Sequence, residues 1–160
     1  MKKLITTLLI GLVLLISCGT TGGGSGTGLT LQNAIEQSAD KIAEELPRGN
    51  HVAVVAFESA NDNLSEHIMR ELDGALFDRG VNTVERQNLA VAFRELDFHM
   101  SGYVSDETAR SIGQMIGADI VITGQLTGFG GVYRYRTIAI NVETAARVSI
   151  TRFDVQNDRE

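Results

Sequence analysis

A chain of 160 residues with one cysteine is sized for a single domain, and it excludes a fold stapled by internal disulfides. Its 20 acidic residues against 14 basic ones leave a net charge of −6, which excludes a general nucleic-acid binder because there is no basic surplus to neutralise phosphates. After residue 18 no stretch is long and apolar enough to span a membrane as a helix.

The N-terminus has the layout of a secretory signal: Lys2 and Lys3, then the mostly apolar Leu4 to Ile16. Leu15-Ile16-Ser17-Cys18 closes that run and resembles a lipobox, where signal peptidase II cuts before a cysteine whose thiol carries a diacylglyceryl group. A buried structural thiol is the alternative, but Cys18 lies between an apolar run and a glycine tract with no core around it. Residues 1–17 are therefore expected to be a signal peptide, and Cys18 the lipidated mature N-terminus. Losing Lys2 and Lys3 leaves 143 residues with 12 basic and 20 acidic side chains, a net charge of −8. Residues 18–29 then comprise the lipidated cysteine and a Gly-rich tether. The ten residues Gly19 to Gly28 span at most about 35 Å extended and about 17 Å as a coil, which holds the domain near its membrane. Gly24-Ser25-Gly26-Thr27-Gly28 is no phosphate cradle, since no strand precedes it and no Gly-Lys-Ser/Thr follows.

Residues 30–160 form the folded domain. Thr30 can cap a first helix with Leu31, Ala34, Ile35, Ile42 and Leu46 on one face, ended by Pro47-Arg48-Gly49-Asn50. His51 to Phe57 is a continuous apolar run, as in a central strand covered on both faces. Asn63 and Glu66 resemble a capping box opening a helix that buries Leu64, Ile68, Leu72, Ala75 and Leu76 and stops at Gly80. Val81 to Val84 reads as a short strand, and Leu89, Phe93 and Leu96 mark a third helix. After a loop at Ser101-Gly102, Ser105 caps a fourth helix with Asp106 and Glu107 in its first turn, Ile112, Met115 and Ile116 inward, and Gly117 at its end.

From Asp119 the pattern turns to strands. Ile120 to Phe129, Val132 to Val142 and Arg147 to Val155 predict a meander, turned at Gly130-Gly131 and at Glu143 to Ala146. The order α-β-α-β-α-α followed by an antiparallel three-strand meander predicts an α/β (α+β) fold, a mixed sheet with helices packed on it. A doubly wound nucleotide fold would keep alternating to its end.

No catalytic constellation emerges. His51, His67 and His99 have no metal-ligand spacing, no Gly-x-Ser-x-Gly elbow or His-Glu-x-x-His occurs, and Glu66, Glu71 and Asp73 fall on helix surfaces. No metal and no cofactor are expected. Tyr133-Arg134-Tyr135-Arg136 is the candidate partner surface, because Tyr and Arg are enriched at binding hot spots. Ordinary cross-strand pairing with arginines reaching to water is the alternative reading.

Val84-Glu85-Arg86-Gln87-Asn88-Leu89, Ser101-Gly102-Tyr103-Val104-Ser105, Ile116 to Gly124, and Ile140-Asn141-Val142-Glu143-Thr144 together resemble the CsgG family of envelope lipoproteins and its LpoB relatives, over about Val52 to Val155. Within that signature Glu85, Arg86, Gly117, Ala118 and Asp119 have structural explanations: an ion pair at a turn, a helix C-cap, a close helix–sheet approach and a backbone hydrogen bond. Ala145-Ala146 stands where the family often has Gly. The resemblance implies a non-enzymatic, membrane-anchored lipoprotein that regulates an envelope assembly partner. In the LpoB branch that partner is a class A penicillin-binding protein, activated for peptidoglycan synthesis; in CsgG itself the function is curli secretion through a pore. CsgG channels carry two long amphipathic hairpins per subunit, and here Phe129-Gly130-Gly131-Val132 joins adjacent strands directly. The expectation is therefore LpoB-like first and CsgG-like without its own pore second, with an unrecognised hydrolase behind both. LpoB itself relies on a long tether, and the short one here suits a partner near the anchoring membrane. Gly19 is not the aspartate that retains lipoproteins in the inner membrane of enteric bacteria, so by analogy the outer membrane, facing the periplasm, is expected. A homo-oligomer stays open.

Overall fold

The computed structural model describes residues 29–85, 89–91, 93 and 104–156. Cys18 and the Gly19–Gly28 tether lie outside the described residues, as do Arg86 to Asn88, Leu96, His99 and Ser101 to Tyr103.

Helix α1 (Leu31–Glu45) starts where the Thr30 hydroxyl accepts from the Asn33 amide at 3.2 Å, and it buries Ala34, Ile35, Ser38, Ala39 and Ile42. Strand β1 (His51–Glu58) follows, buried from Val52 to Phe57. Helix α2 (Asp62–Asp78) begins two residues before the expected capping box. Asn61 is the cap: its backbone is extended and its side chain accepts from the Leu64 amide at 3.0 Å, which leaves Asn63 inside the first turn. Gly80, at φ 75°, ends the helix as expected. Strand β2 (Asn82–Thr83) is shorter than the expected Val81 to Val84, because the Val81 amide is already used on the Leu76 carbonyl at the helix end. Residues 89–91 and 93 are helical with Leu89 and Phe93 buried; the rest of that expected helix lies outside the described residues.

Helix α3 (Asp106–Ile116) is the expected fourth helix, capped by Ser105 on the Thr108 amide at 3.2 Å. Gly117 closes it at φ 70°, with the Ala118 amide on the Gly113 carbonyl at 2.9 Å. Met115 was expected inward and is 46% exposed, since Ala109, Ile112 and Gly113 form the buried stripe and Met115 falls outside it. Strands β3 (Ile120–Phe129), β4 (Val132–Asn141) and β5 (Arg147–Val155) form the expected meander. Gly130 and Gly131, at φ 59° and 88°, make the two-residue turn whose twist suits adjacent antiparallel strands. The second turn is tied by Asn141, whose side chain accepts from the Thr144 amide at 2.8 Å, and it forces Ala145 to φ 61°.

The sheet order is β2-β1-β3-β4-β5, with β1 parallel to β2 and β3 and the last three strands antiparallel. Helices α1 and α2 cover one face, packing Ile35, Ile42, Ile68 and Leu72 onto Ile120, Ile122 and Tyr135. Helix α3, Leu89 and Phe93 cover the other face over Val55, Val121 and Ile140. The architecture is the expected mixed sheet between helices.

Three features inside this frame were not read from the sequence. A register shift between Val54 and Ala56 reverses the alternation of β1, so Val52, Val54 and Phe57 all enter the α1/α2 core. Phe57 then lies over Gly124, where an added Cβ would collide with its ring and stand 2.9 Å from the Arg136 carbonyl oxygen. Gly113 provides a close approach of α3 to the sheet: a Cβ there would be 2.5 Å from Val121 Cγ1. Arg79 clasps α1 to the end of α2, donating to Asp40 at 2.6 Å, to the Glu36 carboxylate at 2.7 Å and to the Ala75 carbonyl at 2.8 Å. That hydrogen bond from Arg79 holds the Asp40 carboxyl below the usual carboxylate range.

Candidate partner-binding face

A strand alternates its side chains, and β4 divides Tyr133-Arg134-Tyr135-Arg136 accordingly. Tyr133 and Tyr135 point toward α1 and α2; Arg134 and Arg136 point to the opposite face. Tyr135 is fully buried, its ring 5.4 Å from Phe57 at 31°. Burial pushes its phenol up, the nearby Ser38 hydroxyl offsetting part of that, and the Tyr135 hydroxyl has no hydrogen-bond partner among the described residues. Tyr135 therefore leaves the candidate partner surface and belongs to the core. Ser38 is itself engaged in a buried chain of hydroxyls, Ser38 to Thr151 at 2.7 Å and Thr151 to Thr137 at 2.6 Å.

The arginines share a face with a residue the sequence reading missed. By register Arg136 stands between Gln125 on β3 and Arg152 on β5, and Arg134 between Thr127 and Asp154. Arg134 is exposed; its Nε donates to Asp154 Oδ1 at 3.1 Å and its guanidinium lies 5.4 Å from the Phe129 ring centroid. Arg136 is half-buried, and its Nε has no hydrogen-bond partner among the described residues. Exposed Arg152 sits directly across from it, a like-charge pairing that costs stability. Three guanidinium groups thus gather on a strongly acidic chain. Beside them a cleft of about 80 Å³ opens between Gln125, Arg136 and Ile138 and the Asp106–Arg147 ion pair, whose N–O distance is 2.8 Å. Only the β4–β5 register brings Arg152 to Arg136, so its alternation within Arg147 to Val155 was the one available signal.

The remaining candidates occupy backbone and packing positions. Glu85 is exposed, and its neighbour Arg86 lies outside the described residues. Gly117 is the α3 C-cap and Ala118 is buried. Asp119 ties two strands together: its carboxylate accepts from the His51 amide at 2.8 Å, and its carbonyl accepts from the Val142 amide at 2.9 Å. His51 Nδ1 is 3.4 Å from the same carboxylate, in an exposed pair. Among the described residues there is no cluster of three or more metal-ligating side chains, and no helix is long and apolar enough to cross a membrane.

Comparison with known proteins agrees with this architecture. The family model of the curli production assembly/transport component CsgG matches residues 51–137, from the start of β1 into β4. The LpoB C-terminal domain from Salmonella enterica superposes with a TM-score of 0.66 at 18% identity, over 79% of this chain and 98% of that one. The LpoB C-terminal domain from Escherichia coli gives 0.63 at 17% identity, over 79% and 98%. Lipoprotein GNA1162 from Neisseria meningitidis gives 0.51 at 15% identity, over 68% and 81%. No curated protein matches the chain by sequence.

Proposed function

The chain belongs to the CsgG family, and from that premise we propose that it is a non-enzymatic envelope lipoprotein, anchored through Cys18, that binds and regulates an assembly partner in the manner of LpoB. The partner class this implies is a class A penicillin-binding protein whose glycan polymerisation it stimulates. The observation that carries the reading is the arginine face: Arg134, Arg136 and Arg152 concentrate positive charge on a domain that is otherwise acidic, a surface suited to carboxylates on a partner protein. An activator shifts its partner's equilibrium only by binding the active form better, so removing the contact removes stimulation.

The geometry selects the variant. Glu at 134 would oppose Asp154, and position 136 is half-buried, whereas Glu at 152 faces Arg136 and relieves a like-charge pair. Arg134→Gln with Arg152→Glu should abolish stimulation of glycan polymerisation and leave the melting temperature close to wild type. A folded variant that still activates fully removes this face from the mechanism. A wild-type domain that stimulates no class A synthase of its own organism removes the activator role itself.

A second reading, a curli-type assembly component, rests on the description of the matching family. The direct Gly130-Gly131 turn between β3 and β4 leaves no pore hairpin there, which favours the first reading.

A further inference from the structure

Of the five large apolar side chains exposed among the described residues, Phe129 at 68% and Val132 at 38% face each other across the β3–β4 turn. They form an apolar tip with the Gly130-Gly131 turn between them. From Thr127 to Arg134 the only charged side chain is Arg134, which lies over the Phe129 ring and is paired with Asp154. The position of this tip matters as much as its chemistry. Leu29, the first described residue, forms a parallel bridge with Val155, and Val155 pairs with Tyr133 at the base of the tip. The tether therefore enters the domain at the tip end of the sheet, about 10 Å to the side across two strand spacings. The turn projects beyond that entry by roughly two or three residues, about 7–10 Å. The bridge is parallel to β5, so the chain reaches Leu29 heading toward the tip. The ten residues before it, at most about 35 Å when extended, are long enough to let Cys18 reach the level of the tip. Asn82, level with the start of β1, lies at the opposite end, about 30 Å away along the strands.

We propose that this turn is a membrane-contact tip: Phe129 and Val132 seat in the lipid surface that holds Cys18, with Arg134 at headgroup level. The proposal rests on the lipid anchor. An apolar side chain beside a long cationic one suits that boundary, since the ring enters the acyl edge and the guanidinium reaches back to phosphate and water. Alone, two side chains bind a bilayer weakly; beside a covalent lipid they orient a domain already held there. The strands would then stand up from the membrane, with the arginine face presented sideways just above it.

Because lipidation blocks the Cys18 thiol, a new cysteine can be labelled alone. Full-length lipidated protein carrying an environment-sensitive fluorophore on Thr127→Cys or on Asn82→Cys would be reconstituted into vesicles of phosphatidylethanolamine and phosphatidylglycerol containing nitroxide-labelled lipid. Quenching should be several-fold stronger at 127 than at 82, and Phe129→Ser with Val132→Ser should reduce the 127 signal to the level at 82. Equal quenching at both sites in the unaltered tip, or quenching at 127 that survives the double serine change, overturns the proposal. Protein that fails to float with the vesicles removes the anchor and this proposal with it; protein that floats with an unquenched tip removes this proposal alone.

Discussion

Gly124 holds together two aromatic side chains that are far apart in sequence. Phe57 lies over it and packs against Tyr135, and the space a methyl group would need is taken both by the Phe57 ring and by the Arg136 carbonyl. Rotating Phe57 cannot relieve the second contact, so Gly124→Ala should cost about 1–3 kcal/mol, read as a lowered thermal midpoint. Wild-type stability in that variant would show that β3 and β4 can separate locally. Ala145 has the opposite problem. At φ 61° its Cβ is strained by about 1–2 kcal/mol, partly offset because glycine is looser in the unfolded chain. Ala145→Gly should therefore raise stability by a few tenths to about 1 kcal/mol. An unchanged or lower melting temperature would mean that the Asn141 turn already absorbs the strain.

Helices α1, α2 and α3 are secured by the same few local devices, and α1 and α2 by one longer-range contact. Thr30, Asn61 and Ser105 are side-chain N-caps, Gly80 and Gly117 are left-handed stops, and the Arg79 clasp joins α1 to α2. The clasp has a defined pH signature. Because Arg79 lowers the folded-state pKa of Asp40, the pair stabilises the fold above about pH 4, where the unfolded carboxyl is ionised, and that contribution is lost as pH falls through the lowered folded value. Arg79→Gln should thus melt below wild type at pH 6, with the gap narrowing in acid. A gap that is constant with pH would assign the loss to the Ala75 and Glu36 carbonyl contacts instead.

At the scale of the molecule, the sheet puts the tether entry, the β3–β4 turn and the N-termini of α1 and α2 at one end, with the arginine face running up from it. This arrangement has its proposed meaning only if the chain is anchored. Metabolic labelling with a clickable fatty acid should mark the wild-type protein and leave Cys18→Ser unmarked. Equal labelling of both would end the lipoprotein reading, and with it the reason for a partner near the membrane.

Sequence alone carried the architecture because its signals are local. Caps, αL glycines and the change from helical to strand periodicity act over a few residues, so element order, the mixed sheet and the Gly130-Gly131 turn were legible before any coordinates. The α2 cap was misplaced by two residues and β2 is one residue shorter at each end, because element boundaries turn on which nearby group satisfies each terminal amide, here Asn61 for Leu64 and the Leu76 carbonyl for Val81. What only the tertiary structure decided depends on register. The Val54/Ala56 shift sends Phe57 into the α1/α2 core, strand alternation buries Tyr135 while turning Arg134 and Arg136 outward, and β4–β5 pairing recruits Arg152. A slip of one residue in any of these pairings would exchange the faces, because side chains on a strand repeat every two residues. That choice belongs to the packed core, where Phe57 lies over Gly124 and against the Tyr135 ring.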